Sequence, residues 1–427
     1  MLSIVALLFV FFLLTGVPVA FSIGLASIPI FIFTDYMPPS IVVQKMVGIT
    51  QSYPLMALPF FVIAGNIMTS AGIATRLVNF SQVLTGWMIG GLAQISIVLS
   101  LLMGGISGSS VADASMQSRL LGMPMIKKGY SKGFTGAVIA YSSIITATIP
   151  PSIGLIVFGF IGNVSIGKLL IAGIVPGILL TIALMICTHF LAKRKGFELE
   201  KKPLPKLKDV AKSFIESFWA LIFPVILVVG FRFGFFTATE AGAFVIFYAL
   251  VIGAFVYKEL TVKKLKDCLT SSLKDIGMIM LIIIMATVLG YVISLEQAPN
   301  AIALALTRIT DNPTATFLLI LGFLVIAGMV MEATVNVLLL TPLFLPILTS
   351  LGFDPIHFGV IMITIITLGG STPPVGVTMY AVCGLLNCSP KEYIKESVPF
   401  LAVILGVFLI LALFPSITLF LPNLLMK

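Results

Sequence analysis

Residues 145–153, ITATIPPSI, and residues 368–376, LGGSTPPVG, lie 223 positions apart, and each sets a Pro-Pro pair inside an otherwise apolar run. A proline has no amide hydrogen, and its ring clashes with the carbonyl four residues back. Pro150 and Pro151 therefore free the carbonyls of Thr146 and Ala147, while Pro373 and Pro374 free those of Gly369 and Gly370. Ile149 and Thr372, each ahead of a proline, are pushed toward extended geometry. Both runs are expected to be helices that stop and restart.

The same shift of 223 carries Asp113 onto Asn336 and Gly136 onto Gly359. Each half reads as a polar short hairpin, an apolar run, a Pro-Pro break and a further short apolar run. Interrupted hydrophobic segments at matching positions of two repeats point to a secondary transporter with its site near the bilayer midplane. The residues leave open whether the repeats are inverted.

Of the 427 residues, 59% are hydrophobic and 10% charged, against about 45–50% and 25% in soluble proteins. A water-facing globule is excluded, and there is apolar material for about ten to twelve spans. The run from residue 2 to 33 reads as one retained helix, since no basic residue precedes it. Several other runs are too short to cross alone, as in re-entrant hairpins and broken helices, which survive only against protein or a wet cavity. The fold class expected is an all-α polytopic membrane protein.

Residues 193–212 hold eight Lys or Arg against three acids, and residues 258–274 hold five against two. Both stretches are expected on the cytoplasmic side, with the turn from Phe235 to Thr239 on the opposite face. The net charge of +9 thus reads as membrane anchoring, and nucleic acid is not an expected partner. The division expected is a first membrane half over 1–192, a linker over 193–214, scaffold and arm helices over 215–275, and a second half over 276–427. Cys187, Cys268, Cys383 and Cys388 form no CxxC pair, and His189 and His357 are the only histidines. There is no GxxxxGK[ST], HExxH or GxSxG, so no enzyme chemistry is expected.

Three serines (Ser107, Ser109, Ser110) and Asp113 sit in a stretch, residues 86–126, whose only other charge is Arg119. A carboxylate costs about 2.5–3.5 kcal/mol near the bilayer centre on insertion scales, which marks it as functional. It could also cap a half-helix or pair with Arg119, and the serines could be small-residue packing. From 313 to 390 the only acids are Glu332 and Asp354; Glu332, between apolar runs, is the better buried candidate. His357 could carry a proton or simply pack. Freed carbonyls beside the hydroxyls of Thr148, Ser152, Ser371 and Thr372 make an all-oxygen lining suited to a hard cation such as Na⁺. Half-helices starting after each break aim N–H groups at a substrate carboxylate.

These stretches resemble the large membrane subunit of the tripartite ATP-independent periplasmic (TRAP) transporters. The resemblance runs through GVPVA (16–20), PFFVIAGN (59–66), SGSSVAD (107–113), IPPSI (149–153), TEAG (239–242), TPLFLP (341–346), DPIHFG (354–359) and TPPVG (372–376). It implies Na⁺-driven carboxylate uptake across the bacterial inner membrane by an elevator motion. It also implies two partners, a periplasmic substrate-binding protein and a small membrane subunit of about four helices, the latter not fused here. Two re-entrant hairpins are implied, at about 104–125 and 328–350, with breaks at 148–152 and 369–376. Carried onto this chain, Na⁺, the only cofactor-like ion, is held by Ser107, Gly108, Ser109, Ser110, Asp113, Thr148, Gly328, Glu332, Asn336, Gly369, Gly370, Ser371 and Thr372. Substrate is expected to be held by Ser109, Ser110, Pro150, Pro151, Ser152, Pro373, Pro374 and Gly376. The stretch Ser115-Met116-Gln117-Ser118-Arg119 departs from the smaller, more apolar residues of many members. With Ile145-Thr146-Ala147-Thr148 it looks closer to the acidic-sugar branch, so a sialic acid such as N-acetylneuraminate is expected. A four-carbon dicarboxylate permease and a proton-coupled anion transporter are the alternatives.

Overall fold

The computed structural model describes residues 2–33, 40–197 and 203–426, so residues 198–202 of the expected linker lie outside it. Only helices and turns occur among the described residues. The first apolar run, expected as one helix, is two: α1 (Leu2–Leu14) and α2 (Val19–Phe33) part at Gly16, whose φ of +82° suits glycine, just before Pro18. Next come α3 (Ser40–Thr50), α4 (Ala57–Ser70) and α5 (Ile73–Thr85). A first helical hairpin pairs α6 (Gly91–Gly104) with α7 (Ser110–Gln117). A π turn and α8 (Met123–Lys127) lead to α9 (Lys132–Thr148) and, after the break, α10 (Ile153–Ile161). Then α11 (Ile166–Ala172) and α12 (Ile174–Lys195) reach the linker.

Beyond the linker stand α13 (Leu207–Arg232), α14 (Ala238–Val251) and α15 (Val262–Leu295). The 34 residues of α15 run straight through the boundary expected between 275 and 276. The basic stretch 258–274, expected on the cytoplasmic side, is helical from Val262 onward because Thr261 caps it and its charges sit on the polar start of one long helix. After α16 (Ala298–Thr307), a second hairpin pairs α17 (Pro313–Val330) with α18 (Ala333–Ser350). The chain ends with α19 (Pro355–Ser371), α20 (Val377–Leu386), α21 (Pro390–Leu413) and α22 (Pro415–Leu425). Among the described residues eight helices are long and apolar enough to cross a membrane, or nine counting α9 and α10 as one span bent by 45°.

The shift of 223 aligns helix ends as well as prolines. Adding it to α9 gives the bounds of α19, and adding it to the first residue of α7 gives the first residue of α18. Thr148 Oγ1 lies 3.5 Å from Thr364 Oγ1, while Ser371 Oγ donates to the Ala140 carbonyl at 3.1 Å. Numbers therefore rise along α9 as they fall along α19, and the matching helices of the two repeats run antiparallel. Every residue from Gly133 to Thr148, and every one from His357 to Ser371, is buried. Helices apolar all round belong in a core, and these two form its axis.

Candidate functional site

Both breaks form as the prolines dictate. Ile149 (φ −75°, ψ 137°) and Thr372 (φ −101°, ψ 135°) are extended, and the Pro150-Pro151 and Pro373-Pro374 peptide bonds are cis. Two of the freed carbonyls are satisfied within the break: Ser152 Oγ donates to Ala147 O at 2.5 Å, and the Thr372 N–H donates to Gly369 O at 2.9 Å. Ser152 also caps α10, its oxygen accepting from Leu155 N. The counterpart of Ser152 is Val375, and here the chain folds back instead. A Cβ on Gly376 would stand 2.7 Å from Gly370 O and 2.8 Å from Thr372 O, so only glycine fits.

The hydroxyls of Thr148, Ser371 and Thr372 likewise donate to helix carbonyls, of Ile144, Ala140 and Leu368. Each proton is spent on the backbone, and lone pairs remain on the oxygen.

In front of the breaks lies a cavity of about 780 Å³. It brings together Ser107, Gly108, Ser109, Ser110 and Asp113 from the first tip with Glu332 and Thr334 from the second. Ala147, Ile153 and Gly154 flank the first break in its wall, and Thr367 and Val377 flank the second. Thr148, Pro150, Pro151, Ser152, Gly328, Asn336, Gly369, Gly370, Ser371, Thr372, Pro373, Pro374 and Gly376 are not among the lining residues; Pro374 is exposed, Pro373 half-buried and the others buried. The opposite wall is α4 and α15, with Val62, Asn66, Asp275, Met278 and Ile282. Asn66 Nδ2 donates to Asp275 Oδ2 at 3.2 Å and to Ser272 Oγ at 3.0 Å. Asn66 and Asp275 were not singled out above: Asn66 lies in an apolar motif, and Asp275 closes a basic stretch that reads as solvated.

Gly108 (φ +59°) packs against the break, where a Cβ would collide with Pro151 O. Asp113 is 1% exposed. It neither caps a helix nor pairs with Arg119, which is exposed. Its Oδ2 accepts from Ser100 Oγ (2.8 Å), Gln117 Nε2 (2.8 Å) and Thr146 Oγ1 (2.7 Å). Its Oδ1 is buried with no partner, as are Ser107 Oγ and Asn336 Oδ1. Asn336 donates to the carbonyls of Ala327, Met331 and Glu332, all in the second tip. Glu332 caps α18 through Thr334 N at 2.7 Å. His357 packs outside the cavity, bonded to Thr418 Oγ1 at 2.6 Å and beside Phe317. Asp354 caps α19.

Among the described residues the lining carries three carboxylates and neither Lys nor Arg. The buried oxygens without a partner, Ser107 Oγ and Asp113 Oδ1 in the first tip and Asn336 Oδ1 in the second, are of the kind that a hard monovalent cation would satisfy.

The chain matches the family described as tripartite ATP-independent periplasmic transporter, DctM component, over residues 5–417. It is 36% identical to the isethionate TRAP transporter permease protein DctMQ of Oleidesulfovibrio alaskensis, across 96% of this chain and 65% of that protein. It is also 36% identical to the sialic acid TRAP transporter large permease protein SiaM of Vibrio cholerae, across 96% of each. Identity to the C4-dicarboxylate TRAP transporter large permease protein DctM of Pseudomonas aeruginosa is 33%, across 94% of each. The crystal structure of the Alcanivorax borkumensis YdaH transporter superposes with a TM-score of 0.63 at 14% identity, covering 96% of this chain and 98% of that one. That likeness is one of fold.

Proposed function

Because this chain belongs to the DctM component family of tripartite ATP-independent periplasmic transporters, we propose that it is the large permease subunit that carries an organic carboxylate inward together with Na⁺. The single observation that carries this reading is the charge of the cavity. An anion entering a space lined by Asp113, Asp275 and Glu332, with no basic side chain among the described residues, is repelled unless cations enter with it. The donor-free oxygens of Ser107, Asp113 and Asn336 supply ligands for such cations.

Solute and ion then share one cavity, and neither is well held alone. Ser109 and Ser110 at the start of α7 offer N–H groups and hydroxyls to a carboxylate. Motion is of the elevator kind in this reading: the two hairpins with α9, α10, α19 and α20 slide as a block against α4 and α15. Tight docking of the first tip on α4, where a Cβ on Gly65 would stand 3.0 Å from Ile106 O, supports a packed, sliding contact. The partners are a periplasmic binding protein and a small membrane subunit, with the complex in the bacterial inner membrane. The named solutes of the relatives are organic anions. N-acetylneuraminate is our first candidate for this chain, since the hydroxyl-bearing residues Thr69, Ser109, Ser110, Ser115 and Thr334 line the cavity.

Uptake into proteoliposomes holding this chain and its small subunit, with the binding protein outside, tests the reading. Accumulation should require inward Na⁺ and stay flat when a proton gradient replaces it. Full-rate uptake in K⁺ alone would refute it.

A further inference from the structure

The two repeats match in backbone and differ in the support given to Asp113 and Asn336. Asp113 has Gln117 one turn further along α7; Asn336 has Leu340 in that place. Gln117 is fully buried. Its Nε2 donates to Asp113 Oδ2 at 2.8 Å and to Ser100 Oγ at 2.6 Å, and its Oε1 accepts from Ser96 Oγ at 2.5 Å. The amide is thereby oriented from both ends, for the reverse orientation would set its oxygen against a carboxylate. Thr146 Oγ1 stands 2.7 Å from Asp113 Oδ2 and 2.9 Å from Ser100 O, and its one proton goes to the carboxylate, the stronger acceptor. Three donors thus converge on Oδ2 and none on Oδ1, which is buried and belongs to a residue of the cavity wall.

Resting on the Na⁺-coupled reading above, we propose that Gln117 is a positioning residue. With Ser100 and Thr146 it locks the Asp113 carboxylate so that Oδ1 stands ready as an anionic ligand, making the first-repeat half-site the tighter of two unequal cation sites. The second half-site has a neutral amide oxygen at Asn336 and an apolar side chain where Gln117 would stand. Charge and preorganisation both favour the first, because a ligand already held in place spends no binding free energy on being ordered. The pseudo-symmetric backbone would therefore load its two cations unequally.

Gln117→Met keeps volume and removes both donors. Thermal unfolding of the purified full chain with its small subunit, titrated with NaCl against KCl at constant ionic strength, reads cation binding without transport. The wild type should be stabilised by Na⁺ over K⁺. In Gln117→Met the half-saturating Na⁺ should rise roughly tenfold, the worth of a lost hydrogen bond to a charged group. In proteoliposomes the same variant should need more Na⁺, while half-saturation by loaded binding protein at saturating Na⁺ stays unchanged. Ser100→Ala, which removes another donor from Oδ2, should shift Na⁺ in the same direction and serves if Gln117→Met does not fold. An unaltered Na⁺ titration in these variants, or a rise shared equally by Na⁺ and solute, overturns the proposal alone. A wild type with no preference for Na⁺ over K⁺ in either measurement overturns the coupled reading and this inference with it.

Discussion

Ser152 donates its proton to the carbonyl that Pro151 has displaced and offers its oxygen to the first turn of α10. Ser152→Ala strands a buried carbonyl and removes a cap, a cost of about 1–3 kcal/mol. Its melting midpoint in detergent should fall below that of a Val375→Ala control at the matching place. Asp113→Asn tests a different property. The amide oxygen of the new side chain can take the place of Oδ2 beneath the three donors, so the protein should fold, with its NH₂ turned where a cation would sit. Na⁺-driven uptake should disappear in that variant, and Na⁺-specific stabilisation should shrink to what the weaker second half-site gives. That Asp113 stands out is visible in the sequence, as a lone carboxylate among apolar and small residues. Its partners are not: Ser100 comes from the preceding helix and Thr146 from α9, and only packing brings them together. Nor does the sequence show that the hydroxyls of Thr148, Ser371 and Thr372 spend their protons on the backbone.

Where α17 crosses α19 the backbones nearly touch, since a Cβ on Gly328 would collide with Ile366 O. Close approach of this kind demands glycine. Gly328→Ala should cost about 1–3 kcal/mol through forced repacking, seen as a lower midpoint and less monodisperse protein. Gly322→Ala, in the same helix with open space around it, should match the wild type. At this scale the prolines were the legible signal, and they place the ends of α9 and α19 correctly. The run of α15 was less legible, because a charged start and an apolar continuation read as two segments when packing is unknown. The second cavity wall was hidden for a similar reason: Asn66 and Asp275 are 209 residues apart, and no local pattern joins them.

The orientation argued from lysines concerns the whole chain and can be checked without a transport assay. All four native cysteines are buried, so single cysteines introduced at exposed positions report cleanly. Phe235→Cys should react with a membrane-impermeant maleimide in intact cells, and Val262→Cys only after the membrane is opened. Labelling of both from the same side would reverse the assignment. The antiparallel pairing of α9 with α19 has one more consequence. Residues n and n + 223 hold matching backbone positions on helices of opposite direction, so in the proposed carrier an exchange of backbone shape between the repeats would also exchange the compartment it opens to. A substitution that biases the resting population toward one compartment should have a twin, 223 residues away, that biases it toward the other. A library of such twins would trace the alternation of access as pairs of opposite sign.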